Sequence, residues 1–558
     1  MRWRYAVIAA VACAASSSAV AGSLEDYKHI VVIYEENHSF DNLYGLWGDV
    51  DGEPVNGLDS ADPEHTRQVR ADGTTPYQCL LQLDVNLTSP EPLATSCTDT
   101  TGGGFVSAFK NEPFQIDTYI GPNDETCPPP GVYARDGLRK GTGRPGGCTR
   151  DLVHRFYIHR YQINNGKLDR FVTGSDAAGL TMGYYDTKRL PIYRYLHTDV
   201  APHYVIADAF FQAAYGGSFL NHQWLIAAET PLFENALNNG RKFDLHTVLD
   251  ANGMPESTPL YQNLLDEPKA APLTASCHPP KGRSPTPSGT VCGDRAVNTI
   301  QPMYQPFRPG TAKQKRLPPL HNLTIGDRLS GAGIDWAWYS GGWSNANGNV
   351  DDPGWTNGHG PRCGDPDTDD QATFPHCPNK SFQYHHQPFN YFANFAPGTV
   401  LRNERLLDEE EFLDAARDGE LKAVSFVKPL GIENEHPGYA SVTVGNDHLV
   451  TLLKAVLEGP NADDTLIVVT YDEFGGQWDH VPPPPFNEKL TSAYDDWGPG
   501  TRIPALLISK RFSKSGVDHE AYDTTSILRM IEDRFGLDPV SSRDKSVRSL
   551  GEALSAGS

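Results

Sequence analysis

Two acidic clusters in this chain have the composition of a cation site. The first reads Glu35-Glu36-Asn37-His38-Ser39-Phe40-Asp41, and the second Asp472-Glu473-Phe474-Gly475-Gly476. Each follows a short run rich in Val or Ile, and in open α/β sheets ligands bind outside the carboxyl ends of strands. A Glu and an Asn from one strand end, with an Asp and a Glu from another, make an oxygen-rich cage for a hard divalent cation. Either cluster alone reads as a helix cap or a solvated turn. The pair, with Gly475-Gly476 allowing close backbone approach, sets metal binding beside that plainer role.

Gly216-Gly217-Ser218-Phe219-Leu220-Asn221-His222 is a second feature. A serine after two glycines, following the apolar segment Tyr204–Phe211, fits a tight turn that opens a helix. The stretch departs from the G-x-S-x-G nucleophile elbow at Leu220, and on its own Ser218 reads as an N-cap. Histidines are a third feature: His154, the doublet His385-His386, His436 before Pro437, and His480 after the second acidic cluster. Single histidines are commonly satisfied polar residues; a pair in a Pro-bounded loop fits a functional loop better. Asp365–Asp370 imitates a calcium loop, but Asp370 stands where Gly is required and His376 where Glu is required, so it reads as an acidic turn.

The elements that must position these residues are legible as apolar runs. His29–Tyr34, Ala423–Val427, Thr465–Tyr471 and Ile503–Ser509 are nearly continuous in hydrophobic character, which predicts strands covered on both faces, as in a parallel sheet. Helical spacing follows at Leu449–Leu457 and at Thr525–Phe535, where Ile527, Met530 and Ile531 share a face and Asp523 is the expected N-cap. Strand–helix alternation predicts an α/β fold. From about residue 240 to 380, Pro, Gly, Asn and Asp dominate, and this stretch reads as a long insertion over the sheet within one domain spanning 22–558.

Composition narrows the function. The 558 residues carry 47 Lys+Arg against 70 Asp+Glu, a formal net charge of -23, which argues against nucleic acid as a partner and against a polybasic membrane anchor. Arg2 and Arg4, the apolar run Ala6–Ala15 and Ala19-Val20-Ala21 predict a signal peptide over 1–21 and hence a periplasmic or secreted protein. Apart from Cys13, eight cysteines fall into neighbouring pairs: Cys79/Cys97, Cys127/Cys148, Cys277/Cys292 and Cys363/Cys377. Neighbour pairing closes Pro/Gly-rich loops, each bridge contributing about 3 kcal/mol.

Taken together, the blocks YEENHSFDNLYG, DRFVTGSDAAGLTMGYYD, GGSFLNHQW, EHPGYASVTVGNDHL, TLIVVTYDEFGGQWDHVPPP and TRIPALLISKRFSKSGVDH resemble the bacterial phosphoesterases that unite acid phosphatases with phospholipases C. The resemblance implies an alkaline phosphatase-like fold, a mostly parallel sheet flanked by helices, here with long disulfide-bonded insertions. It implies one divalent metal ion, Mg, Ca, Mn or Zn, held by Glu36, Asn37, Ser218, Asp472 and Glu473. Ser218 matches the nucleophile, and His154, His385, His386 and His436 match the histidines around the phosphoryl group. Ser218-Phe219-Leu220-Asn221-His222 is similar to the acid phosphatase branch, whereas phospholipases C carry a Thr-Asp-Pro-Asn-Arg type segment there.

The expected reaction is hydrolysis of a small phosphate ester, a phosphomonoester, through a phosphoserine, with His386 or His436 protonating the leaving oxygen. Two alternatives stand beside it. One is a phospholipase C, which alone would take a membrane surface as partner and for which the loop Gly341–Trp355, with Trp343 and Trp355, offers an aromatic rim. The other is a catalytically inactive binding protein.

Overall fold

The computed structural model describes residues 23–70, 72–80, 95–102, 104–117, 151–175, 178–233, 295–364 and 372–558, with four two-residue strands between 248 and 292. The signal peptide, the pairings Cys127/Cys148 and Cys277/Cys292, most of 240–294 and Asp365–Asp370 fall outside the described residues. Cys79–Cys97 and Cys363–Cys377 are bridged, as neighbour pairing predicts. Among the described residues no helix is long and apolar enough to cross a membrane.

Runs of β-branched residues form the strands because their stiff side chains pack well on a pleated surface. In chain order, the main sheet comprises β1 (His29–Glu35), β2 (Tyr204–Ala207), β3 (Trp336–Ser340), β4 (Leu406–Asp408), β5 (Val424–Lys428), β6 (Thr465–Tyr471), β7 (Ala505–Ile508) and β8 (Gly516–Asp518). Their spatial order is β4-β3-β5-β1-β6-β7-β2-β8. All pairings are parallel except those of β7, which runs antiparallel to β6 and β2. Ile30, Val31, Val32 and Ile33 of the central β1 are 0% exposed, so each contributes about 1.5–3 kcal/mol of burial.

The four runs singled out in the sequence are thus strands of one mostly parallel sheet. The antiparallel sense of β7 is a correction to the parallel reading of its apolar run: full burial makes any strand apolar, whichever way it points. β3 is a strand inside the stretch read as an insertion over the sheet; its Trp336, Trp338 and Tyr339 give an aromatic run without the Val/Ile signature.

Four helices bear on the site: α1 (Ser218–Ala227), α2 (Glu409–Asp418), α3 (Val442–Leu457) and α4 (Thr524–Phe535). α1 packs on α4, and α2 packs on α3. Asp523 caps α4 by accepting from the Thr525 N–H, as its spacing predicts. Alternation along β1 sends successive side chains to opposite faces. The Tyr34 hydroxyl donates to the Asn221 carbonyl of α1 at 3.4 Å, whereas Glu35 meets the charges of Glu435 and Glu409 on the other side.

Candidate active site

The site is built where β1 and β6 end. Their register pairs Glu35 with Tyr471, so the next residues, Glu36 and Asp472, leave the sheet side by side. The Asp472 N–H donates to the Glu35 carbonyl at 3.1 Å, and the Asn37 N–H to Asp472 Oδ1 at 3.0 Å. Asn37 holds φ at 60°, a left-handed conformation that Asn tolerates better than most residues. Gly475, at φ 61°, passes so close that a Cβ would lie 2.1 Å from the Asn37 carbonyl oxygen. The glycine there allows the two loops to touch.

Ser218 approaches from α1. Its Oγ donates to Glu36 Oε2 at 3.2 Å and to Asn37 Oδ1 at 3.4 Å. The N-cap of α1 is Gly217, so Ser218 is the first helical residue and its hydroxyl makes no cap bond. This corrects the capping role that its sequence context suggests. The N-terminal end of the helix also favours an anion at this spot.

Imidazoles surround the acids. His386 Nε2 lies 2.7 Å from Glu36 Oε1, an ion-pair contact without hydrogen-bond angles. His436 Nε2 bonds to the Asn37 amide nitrogen at 3.1 Å, and its Nδ1 to the Pro437 carbonyl at 2.7 Å. His154 Nε2 lies 3.5 Å from Glu473 Oε1, and its ring is 6.4 Å from that of His436. His385 packs edge-on against His386, at 4.6 Å between ring centroids. His480 is elsewhere, bonded to Asp41 beside Arg502 and Asp479 in a buried ion-pair network that ties the loops after β1 and β6 to the chain entering β7.

Two site residues carry no role in the sequence reading. His222 stacks on His386 with centroids 4.9 Å apart, and lies 4.0 Å from Glu36 and 3.9 Å from Asp472. Its spacing, four residues after Ser218 on one helical face, was the available signal. Lys428 ends β5 and places Nζ 2.5 Å from Glu36 Oε1. Nothing in its own stretch of sequence marks it.

Charge in this cluster is unbalanced. Burial alone would raise the Glu36 carboxyl, but the charges of His386 and Lys428 outweigh burial and hold it well below the ordinary carboxylate range. Burial pushes His386 itself down. For this pair the Glu36 direction governs, because the Lys428 charge acts on the same carboxylate oxygen at 2.5 Å. Burial and then the charge of Glu36 raise Asp472 well above its ordinary value; burial and then Asp472 do the same to Glu473. Asp472 Oδ2 and Glu473 Oε1 are buried without hydrogen-bond partners, whereas Glu36 Oε1 is met by Lys428 Nζ at 2.5 Å and His386 Nε2 at 2.7 Å. Orphaned carboxylate oxygens around a serine hydroxyl fit a divalent cation, and Glu36, His222 and His386 also offer ligand atoms within 4.8 Å of one another.

The loop carrying Trp343 is not a rim. Trp343 is fully buried, with the Arg402 guanidinium over its ring, and only Trp355 is partly exposed. That corrects the expected aromatic rim: the tryptophan packs beneath the loop.

The sequence model of the Phosphoesterase family matches residues 27–538. "Phospholipase C B" of Mycobacterium tuberculosis (strain ATCC 25618 / H37Rv) is 33% identical over 144 residues, 23% of this chain and 27% of that protein. "Non-hemolytic phospholipase C" of Burkholderia pseudomallei (strain K96243) is 26% identical over 175 residues, 26% of this chain and 25% of that protein. "Non-specific phospholipase C6" of Arabidopsis thaliana is 27% identical over 180 residues, 26% of this chain and 34% of that protein. The chain spans between a quarter and a third of the length of these curated relatives. A solved protein of the alkaline phosphatase superfamily from Vibrio parahaemolyticus aligns at 13% identity with a TM-score of 0.22, covering 40% of this chain and 50% of that one. The architecture described above rests on its own strand order.

Proposed function

The chain belongs to the Phosphoesterase family, and on that premise we propose that it is a metal-dependent phosphoester hydrolase working through a phosphoserine on Ser218, with phosphomonoesters as preferred substrates. The observation that carries this reading is the Ser218 hydroxyl, at the start of a helix, 3.2 Å from Glu36 and ringed by orphaned carboxylate oxygens. Glu36, Asn37, Ser218, Asp472 and Glu473 would hold the cation. When bound, it neutralises phosphoryl charge and lowers the serine pKa.

Ser218 Oγ, its proton first lost to solvent, attacks phosphorus in line as the alkoxide; the Oγ–P bond forms, and the bond to the leaving oxygen breaks. That oxygen takes a proton from an imidazole. In the observed geometry His436 Nε2 faces the Asn37 amide as an acceptor, so His386, whose Nε2 faces Glu36, is the better proton donor. Water then attacks the phosphoserine, the histidine takes the water's proton, and Ser218 is restored as phosphate leaves. Lys428 adds positive charge suited to a dianionic terminal phosphoryl group, while burial pushes His222 and His385 well down, so that they line the site as neutral imidazoles beside His154.

A phospholipase C activity is the second reading, supported by what the relatives in three organisms are called. Parallel assays with p-nitrophenyl phosphate and p-nitrophenyl phosphorylcholine, from about pH 4 to about pH 9, separate the two. Faster cleavage of the monoester, lost in Ser218→Ala, supports the first reading. Preference for the choline diester overturns it in favour of the second. Silence on both, with divalent metal added, overturns both.

A further inference from the structure

On the face of the sheet away from Ser218, three side chains from three elements converge. Glu409 opens α2, Glu433 lies in the loop after β5, and His448 projects from α3. Each offers one ligand atom, and these atoms lie within 4.8 Å of one another. His448 Nε2 is bonded to Glu409 Oε1. The second oxygen of Glu409, a residue only 4% exposed, is buried without a partner. Glu433 and His448 are half-buried, which leaves a path from solvent. Farther inward stands Glu35, both of whose carboxylate oxygens are buried without partners; burial and then the charge of Glu435 raise its carboxyl, against the charge of Lys428.

One histidine does not balance this many carboxylates. An ion pair between His448 and Glu409 uses one oxygen and leaves the rest of the acidic charge unmet. A cation with mixed nitrogen and oxygen ligands meets all three groups at once, and an imidazole ligand favours Zn²⁺ over Mg²⁺ or Ca²⁺. We propose that Glu409, Glu433 and His448 form a second divalent-cation site, of zinc type, separate from the Ser218 cluster.

The site has a structural consequence. Glu433 directly precedes Asn434, whose carbonyl accepts from the Glu36 N–H at 3.1 Å and whose side chain accepts from the His436 N–H at 3.1 Å. A cation on Glu433 would tie the loop carrying Asn434 and His436 to α2 and α3. The two sites would then be joined by one short stretch of backbone, with the second serving as an anchor.

The test is zinc stoichiometry on the full chain, stripped with a chelator, reloaded with ZnCl₂ and desalted. Glu433→Gln and His448→Gln, each shown by circular dichroism to be folded, are each expected to bind one equivalent less than the parent protein. Both should also lose the upward shift in Tm that zinc gives the parent. Asp472→Asn is expected to lose a different equivalent, so that combining it with Glu433→Gln removes both. If Glu433→Gln and His448→Gln retain the parent stoichiometry, the proposal fails, and His448–Glu409 is an ion pair only. If Asp472→Asn alone leaves zinc binding unchanged while Glu433→Gln reduces it, this site stands and the cation assignment at Ser218 falls.

Discussion

Lys428 Nζ sits 2.5 Å from Glu36 Oε1 while donating to the carbonyls of Tyr34 and Glu35 at 2.8 and 3.1 Å. Both side chains are fully buried. The ammonium therefore fixes the end of β1 and, after His386, helps to hold the Glu36 carboxyl well below its ordinary range. Lys428→Met removes one member of a buried pair, which is expected to cost about 3 kcal/mol of stability. It should also lower turnover of p-nitrophenyl phosphate by at least about tenfold. Urea denaturation and initial rates measure the two effects, and an unchanged rate would remove Lys428 from the site.

Ser218→Ala separates chemistry from fold. Because Gly217 is the N-cap and the Ser218 hydroxyl bonds only within the site, its loss should change stability by less than about 0.5 kcal/mol. Turnover should fall by at least about a thousandfold. A variant that keeps more than about a tenth of the parent rate would show that another group is the nucleophile.

Asp472→Asn should stabilise the metal-free protein. Burial and the charge of Glu36 disfavour the Asp472 carboxylate, so a neutral amide of the same shape relieves that conflict. The expected gain is about 1–2 kcal/mol in metal-free buffer, with loss of activity and of bound metal. Chemical denaturation in the presence of a chelator reads the gain, and a destabilised variant would contradict it.

Glu532 supplies a pH dependence outside the Ser218 cluster. It is buried beside Asp544, both carboxylates accept from the Val540 N–H, and burial with the Asp544 hydrogen bond pushes Glu532 up to about 9. The folded state then binds a proton that the unfolded chain has already released above about pH 4.3. This contribution is full at lower pH and is lost progressively as pH rises from there through about 9. Glu532→Gln should therefore shift the urea midpoint upward relative to the parent at pH 8, and less at pH 5. Equal shifts at both pH values would mean that no proton is held there.

Much of this architecture is legible in the chain. The apolar runs of β1, β5, β6 and β7 mark four of the eight strands, and the acids after β1 and β6 mark where the sheet ends in a site. Neighbouring cysteines mark two bridges, and Asp523 marks the start of α4. These features are local: burial, capping and short loop closure act over a few residues, and composition records them.

What lies outside local composition came from the tertiary structure. Glu35 and Glu36 look interchangeable in sequence, yet strand alternation sends one to each face, so only Glu36 meets Ser218 while Glu35 meets Glu435 and Glu409. Lys428 ends a strand 392 positions along the chain from Glu36, and the pairing of β5 with β1 brings its ammonium to that carboxylate. The direction of β7, the roles of His222 and Arg502, and the meeting of Glu409, Glu433 and His448 are also set by strand order and helix packing. The sequence determined which chemical groups the protein has and which segments are buried. The fold alone decided which of them share a few ångströms, because distance along the chain carries no record of strand pairing.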